Sequence, residues 1–331
     1  MIPRSRILGT GHFLPPIVRT NYDIEKMGVE TSDAWIRERT GIGTRHIAPE
    51  GMVTSDMAAE AAKSALLRAD VAPKDIDMII VGTITPDMPM PATAAYVQQK
   101  IGANPTCPSF DIAAACAGFV YAISIADKFV ASGAAKHVLV IGVEMLSRVV
   151  NWKDRTTCVL FGDGAGAAVV GPARGDGRGI LATSMFTDGS LARSLMIPGG
   201  GTETPQGTPR ILAENLNTIQ MKGQDIFKAA VKNLYSASQG VVDSVGLKNE
   251  EVDWVVPHQA NLRIIDQVTA RAKYPKEKVL SNIERVGNTS SASIPILLDE
   301  SIRGGVIKEG DMVLTCGLGA GVSWGAALMR M

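Results

Sequence analysis

The sequence predicts an α/β fold built as two similar halves, each a sheet covered by helices. Three observations predict it. Short apolar runs alternate with helix-length segments, and the order of those elements recurs after about 175 residues. The composition is the third: 331 residues, 46% hydrophobic and 20% charged but only 5% aromatic, supply a large core that must be packed from small side chains.

Residues 55–69 read as a helix, with Asp56 near its start. Pro73 and the apolar run 77–82 follow, the latter a buried strand. Residues 92–101 look helical and 108–112 strand-like. Residues 117–132 read as a buried helix, small or apolar on most faces and closed by Gly133. Residues 137–142 are a further strand. This rhythm implies a parallel or mixed sheet covered by helices.

The second half repeats the order: a helix at 226–245, a strand at 251–257 patterned like 75–81, a buried helix at 293–302 ending in Gly304-Gly305, and a strand at 311–317. The expected halves are 1–175 and 176–331, packed about a pseudo-two-fold axis. The N-terminal ends of the two buried helices then meet near the centre. One begins at Cys116 and the other just after Gly287-Asn288-Thr289, so Cys116 and Asn288 are expected to be neighbours.

The formal net charge is zero, so no general affinity for nucleic acid or an anionic membrane is expected. The longest apolar runs have strand length, short of the roughly 20 residues a membrane helix needs. Residues 1–13 carry neither the apolar region nor the cleavage site of a secretory leader. A cytoplasmic protein without membrane insertion is expected. Cys107, Cys116, Cys158 and Cys316 include no CxxC pair, and there are four histidines, which argues against a zinc site and a disulfide framework.

Cys116 lies in Ala113-Ala114-Ala115-Cys116-Ala117-Gly118, between a strand and a helix. Small neighbours leave its sulfur open on one side. The positive end of the helix dipole is expected to lower its pKa and make it a nucleophile. The competing reading is a small buried hydrophobe. His258, in Pro257-His258-Gln259-Ala260-Asn261, stands at a strand end, where α/β sheets place their sites; it is catalytic or structural.

Asn288 belongs to a turn and helix cap, with Thr289 or Ser290 as the cap and Asn288 as a neutral donor toward the nucleophile. Gly317-Leu318-Gly319-Ala320-Gly321 reads as a loop whose backbone N–H groups supply part of an oxyanion hole. It is no dinucleotide fingerprint, because residues 322–329 read as a strand. Residues 161–167 read as a structural turn before another strand.

Together these residues resemble the β-ketoacyl-acyl-carrier-protein synthase III family, the initiating condensing enzymes of dissociated fatty acid synthesis. The likeness covers nearly the whole chain. It includes Gly9-Thr10-Gly11, Asp33-Ala34-Trp35-Ile36 with Arg39-Thr40-Gly41-Ile42, and Asp111-Ile112-Ala113-Ala114-Ala115-Cys116-Ala117-Gly118-Phe119. It continues through Phe161-Gly162-Asp163-Gly164-Ala165-Gly166, the His258 loop with Leu262-Arg263-Ile264-Ile265, Gly287-Asn288-Thr289-Ser290 and Trp324-Gly325.

The resemblance implies a thiolase fold, five-layered αβαβα, and a homodimer. It implies a Cys116-His258-Asn288 triad, an oxyanion hole from the backbone N–H groups of Cys116 and Ala320, and decarboxylative condensation of an acyl-CoA with malonyl-acyl-carrier protein. Acyl-CoA is then a substrate, and no cofactor is implied. By position, Trp35 and Arg155 become the clamp on the CoA adenine, with Arg39 and Thr40 nearby. Gly223, Phe227, Ala260, Asn261 and Ile264 become the tunnel wall. Arg263 meets the acidic carrier protein or is a solvated surface arginine. Met90 closes the partner subunit's primer pocket, where some relatives carry phenylalanine. Residues 198–209, rich in Gly, Pro and Thr, read as a mobile loop.

Three other functions compete. A thiolase needs a second cysteine near the C-terminal glycines. The expected position is Gly317, one residue from Cys316, which on a strand faces the other way. Acyltransferases and condensing enzymes of secondary metabolism share the chemistry at Cys116. A non-catalytic partner subunit would usually have lost the cysteine.

Overall fold

Period-two alternation along the strands sorts the apolar side chains into stacked cores. In the computed structural model, which describes residues 4–331, the strands form two main sheets. The first three residues of the stretch read for a leader lie outside it. The five-stranded sheet runs Ser5–Phe13, Asp163–Pro172, Val138–Met145, Met78–Gly82, Ser109–Ile112. The four-stranded sheet runs Trp254–Pro257, Met312–Gly319, Ser323–Arg330, Gly179–Thr187. The strands carrying the repeat pair in parallel in both halves, and the flanking pairs are antiparallel.

Ile79, Val81, Leu139 and Ile141 face the alanine-rich outer helix Thr54–Ala69. Their neighbours Met78, Ile80, Val138 and Val140 face the central helices, meeting Phe119 and Ile123 of Gly118–Ala131 and Ile294 and Leu297 of Ser293–Arg303. That core continues to Val313 and Met329 of the second sheet. Leu314, Ala326 and Leu328 face the opposite way, onto Gly223–Ser244 and Leu262–Arg271. The result is a five-layered αβαβα stack with two pseudo-symmetric sheets.

Two glycines show how closely the halves interlock. A Cβ at Gly142 would lie 2.2 Å from the Ser291 carbonyl oxygen, and one at Gly317 would lie 3.0 Å from the Cys116 carbonyl oxygen. Gly142 and Gly317 are 175 residues apart, as are Cys116 and Ser291. Each half's central strand thus receives the other half's turn at matched places, the contact an internal two-fold produces.

Three expectations are corrected. Residues 163–167 are strand rather than turn: Asp163–Pro172 starts there, because Gly164 and Gly166 let the helix Ser293–Arg303 lie directly on the strand. Gly319 likewise belongs to the strand Met312–Gly319, which runs two residues past the expected end at Gly317, and the loop is reduced to Ala320–Val322. The helix expected at 226 starts at Gly223, nearly one turn earlier. Among the described residues no helix is long and apolar enough to cross a membrane.

Candidate active site

Two 3-10 turns, Ala115–Ala117 and Ser290–Ala292, lead into the central helices. Each opens on a non-glycine residue in the left-handed region, Ala115 at φ 45° and Ser290 at φ 50°. Such a conformation costs about 1–3 kcal/mol and persists only where packing holds it. The first turn sets Cys116 ahead of the helix proper, which begins at Gly118. Cys116 is 8% exposed and lies where two cavities meet.

One cavity, of about 240 Å³, is apolar, walled by Ile84, Leu146, Met196, Ile197 and Ile219 beside Cys116 and Ala320. The other, of about 230 Å³, runs past His258 and Asn288. It gathers Trp35, Arg39, Thr40, Arg155, Gly223, Phe227, Ala260, Asn261 and Ile264, nine residues spread across 230 positions of sequence. The Arg155 guanidinium lies 4.9 Å from the centre of the Trp35 ring and that of Arg39 6.0 Å from it. Two sequence-named residues stand apart. Arg263 is exposed in the first turn of Leu262–Arg271. Met90 is 83% exposed and lines neither cavity. Residues 198–209 form an irregular, largely exposed loop just past Leu195, Met196 and Ile197.

His258 ends the strand Trp254–Pro257 and is anchored by its backbone N–H, which donates to the Cys316 carbonyl at 2.8 Å. Its ring Nδ1 is 2.7 Å from the Ser293 hydroxyl, which also accepts from the Gln259 N–H at 3.3 Å. With Nδ1 taken as the acceptor of the Ser293 hydroxyl proton, the neutral ring carries its hydrogen on Nε2. Burial pushes the imidazole pKa down to about 3, so the ring is neutral at pH 7. Asn288 Oδ1 accepts from the Ser290 N–H at 2.9 Å, and its Nδ2 donates toward the Ala260 carbonyl at 3.4 Å.

The expected cap is corrected. Neither Thr289 nor Ser290 caps the helix Ser293–Arg303, which has no side-chain cap. Among the described residues Thr289 Oγ1 has no hydrogen-bond partner, and Ser290 Oγ turns away to Glu144. The expected lowering of the Cys116 pKa is corrected too. Burial pushes the thiol up to about 12, opposed by the nearby Ser290 hydroxyl and reinforced by the Glu144 charge. Desolvation outweighs the helix end because the thiol sits inside the protein.

Cys316 and Gly317 divide as their one-residue separation requires. Gly317 faces Cys116, whereas Cys316 packs with Ser238 and Tyr274 under the outer helices, its thiol pushed up to about 11 by burial. No second sulfur faces Cys116 from this strand. A Cβ at Gly319 would lie 2.4 Å from the Cys116 nitrogen, so only glycine lets the strand end approach that amide.

Sequence reasoning missed Glu144, the hydroxyls of Ser290 and Ser293, and the apolar walls. Glu144 accepts from Thr85 Oγ1 at 2.7 Å, the Ile84 N–H at 3.1 Å, Ser290 Oγ at 3.1 Å and Thr83 Oγ1 at 3.3 Å. Burial pushes it up to about 7 against the pull of those bonds. Its signal was a lone carboxylate in the apolar run Val138–Met145. Ser293 carried no signal, since only the fold brings it to His258.

A family model described as 3-oxoacyl-[acyl-carrier-protein (ACP)] synthase III matches residues 110–189, and its C-terminal counterpart matches residues 242–331. The chain is 49% identical over 324 residues to a beta-ketoacyl-[acyl-carrier-protein] synthase III of Caldanaerobacter subterraneus, covering 98% of this chain and 97% of that protein. It superposes on the crystal structure of 3-oxoacyl-[acyl-carrier-protein] synthase III from Aquifex aeolicus with a TM-score of 0.91 at 48% identity, covering 99% of this chain and 100% of that one. A priming beta-ketosynthase of the R1128 polyketide pathway is similar at 34% identity and a TM-score of 0.90, with 99% and 97% covered.

Proposed function

The chain belongs to the 3-oxoacyl-[acyl-carrier-protein] synthase III family, and from that premise we propose which of its residues carry the reaction. The activity is that of a condensing acyltransferase of fatty acid biosynthesis, joining an acyl-CoA to malonyl-acyl-carrier protein.

Cys116 is the nucleophile. Its sulfur attacks the acyl-CoA thioester, and the oxyanion is held by the backbone N–H groups of Cys116 and Ala320. The acyl chain enters the apolar cavity, while the CoA arm lies in the other, its adenine clamped between Trp35 and Arg155. Arg39, Thr40, Gly223, Phe227, Ala260, Asn261 and Ile264 form the wall along that arm. CoA leaves and malonyl-acyl-carrier protein takes its place, with Arg263 meeting the acidic carrier.

In the second half-reaction His258 Nε2–H and Asn288 Nδ2–H donate to the malonyl thioester oxygen as carbon dioxide departs. Neutral donors suit this step, because a carboxylate there would repel the developing enolate. The carbanion attacks the acyl carbon on Cys116, releasing the β-ketoacyl product. The working protein is a cytoplasmic homodimer, each chain dividing near residue 175, with Met90 closing the partner's primer pocket.

The observation that carries this reading is the place of Cys116, at the junction of an apolar cavity and a second cavity that carries His258 and Asn288. Intact-protein mass spectrometry with a panel of acyl-CoAs tests it. Wild type is expected to gain an acyl adduct that malonyl-acyl-carrier protein discharges, and Cys116→Ala to gain none. An adduct that malonyl-acyl-carrier protein leaves intact would instead indicate a different acyl acceptor.

A further inference from the structure

Arg45, on the strand Thr44–Ile47, is fully buried and lines neither cavity. Burial lowers its pKa to about 10, which leaves it a cation at pH 7. A buried charge is costly unless it is paired. Yet its guanidinium donates to three neutral oxygens: the Val159 carbonyl at 2.8 Å, Asn21 Oδ1 at 2.9 Å and the Arg19 carbonyl at 3.3 Å. What these bonds hold is the backbone around Asn288. The Asn288 side chain has one bond at 2.9 Å and a second at 3.4 Å, so its main chain must do much of the placing. That main chain runs beside residues 160–162. The Asn288 N–H donates to the Leu160 carbonyl at 2.9 Å, and the Gly162 N–H donates to the Asn288 carbonyl at 3.0 Å. Val159 directly precedes this segment. The stem of Arg45 packs here too: a Cβ at Gly162 would lie 2.9 Å from the Arg45 Cβ, and one at Gly287 would lie 3.2 Å from it. The far anchor is fixed in turn, since buried Asn21 donates through Nδ2 to the Ile42 carbonyl at 2.8 Å and to Asp33 at 2.9 Å.

We propose that Arg45 is a positioning residue for Asn288: its guanidinium ties Val159 to Asn21, and its stem sets the spacing between residues 160–162 and Gly287, so that Asn288 Nδ2 meets the malonyl thioester oxygen. The proposal rests on the role assigned above to Asn288. Arginine is needed rather than lysine, because the planar guanidinium reaches acceptors on two sides at once, whereas an ammonium is a single point of charge. Acylation of Cys116 does not use the Asn288 amide, so the effect of Arg45 belongs to the second half-reaction.

A mutant cycle between Arg45 and Asn288 tests this. Acylation is followed by rapid quench and intact mass at saturating acyl-CoA, and the final adduct counts the active sites. Carbon dioxide release from malonyl-acyl-carrier protein is then measured per active site on preloaded acyl-enzyme. Arg45→Met and Arg45→Lys should each slow carbon dioxide release on the order of tenfold, while acylation stays within about threefold of wild type. In an Asn288→Ala background the same substitutions should cost less than about twofold more, because the group that Arg45 positions is already gone. A purely structural role predicts otherwise, and either of two results overturns the proposal: equal slowing of both half-reactions, or a tenfold loss that persists without the Asn288 amide. Wild-type carbon dioxide release in both Arg45 variants overturns it as well. If Arg45→Met does not fold, Arg45→Lys, which keeps the charge, decides by the same comparison. Asn288→Ala with wild-type carbon dioxide release would instead bring down the role of Asn288, and the positioning with it.

Discussion

Cys116, His258 and Asn288 present no fixed charge to the cavity at neutral pH, because burial raises the thiol to about 12 and lowers the imidazole to about 3. Such a site suits a reaction in which negative charge appears only in passing. His258→Ala and Asn288→Ala are each expected to slow malonyl decarboxylation by roughly 100-fold or more while slowing acylation by less than about tenfold. Carbon dioxide release and acyl-adduct formation, measured in parallel, check this; equal loss of both in the Asn288 variant would remove its assigned role. These three residues were legible because each interrupts a pattern: a cysteine among alanines, a histidine ending an apolar strand, an asparagine between glycine and a helix. The protonation states were not legible, since desolvation depends on what packs around a residue from elsewhere in the chain.

Elements are delivered to the site by the paired turns and by the glycines that receive them. Gly142→Ala would drive a Cβ into the Ser291 carbonyl, against backbone that cannot rotate aside. We expect a loss of stability at the upper end of overpacking effects, about 3 kcal/mol, in chemical denaturation. Gly317→Ala meets the Cys116 carbonyl at a milder 3.0 Å. It should fold, shift the nucleophile's turn and slow acylation about tenfold, an effect rapid-quench measurement would read. The glycines at 164, 166 and 319 were misjudged as turn or loop residues for a related reason. Local sequence does not distinguish a glycine that bends the chain from one that lets another backbone approach.

Across the whole molecule, Asp299 of the central helix Ser293–Arg303 ties three layers together. It accepts from Thr10 and His12 of the first sheet's edge strand and pairs with Arg68 of the outer helix. Burial pushes its pKa up, but the bonds from His12 and Thr10 and the Arg68 charge outweigh that, leaving it below the ordinary value. A depressed folded-state pKa stabilises above the unfolded value and stops doing so as pH falls through the folded one. Asp299→Asn should therefore cost on the order of 3 kcal/mol at pH 7, and its gap from wild type should narrow below about pH 4. Thermal unfolding at several pH values checks both.

Met90 bears on assembly. Exposed in the single chain, it is expected to be covered in the proposed dimer, where sedimentation should find two chains. There Met90→Phe, stiffer than methionine, should shift the preferred acyl-CoA toward shorter primers in the adduct panel.

The sequence by itself determined the order of elements and the internal repeat, and it singled out Cys116, His258 and Asn288, which one cavity gathers, because periodicity and the spacing of unusual residues are properties of nearby positions. Only the tertiary structure decided that Cys116 rests as a buried thiol, that its apolar cavity is assembled from residues between 84 and 320, and that Glu144 of one half bonds Ser290 of the other. Burial and contacts across the pseudo-two-fold depend on where distant turns land, and no local pattern encodes that.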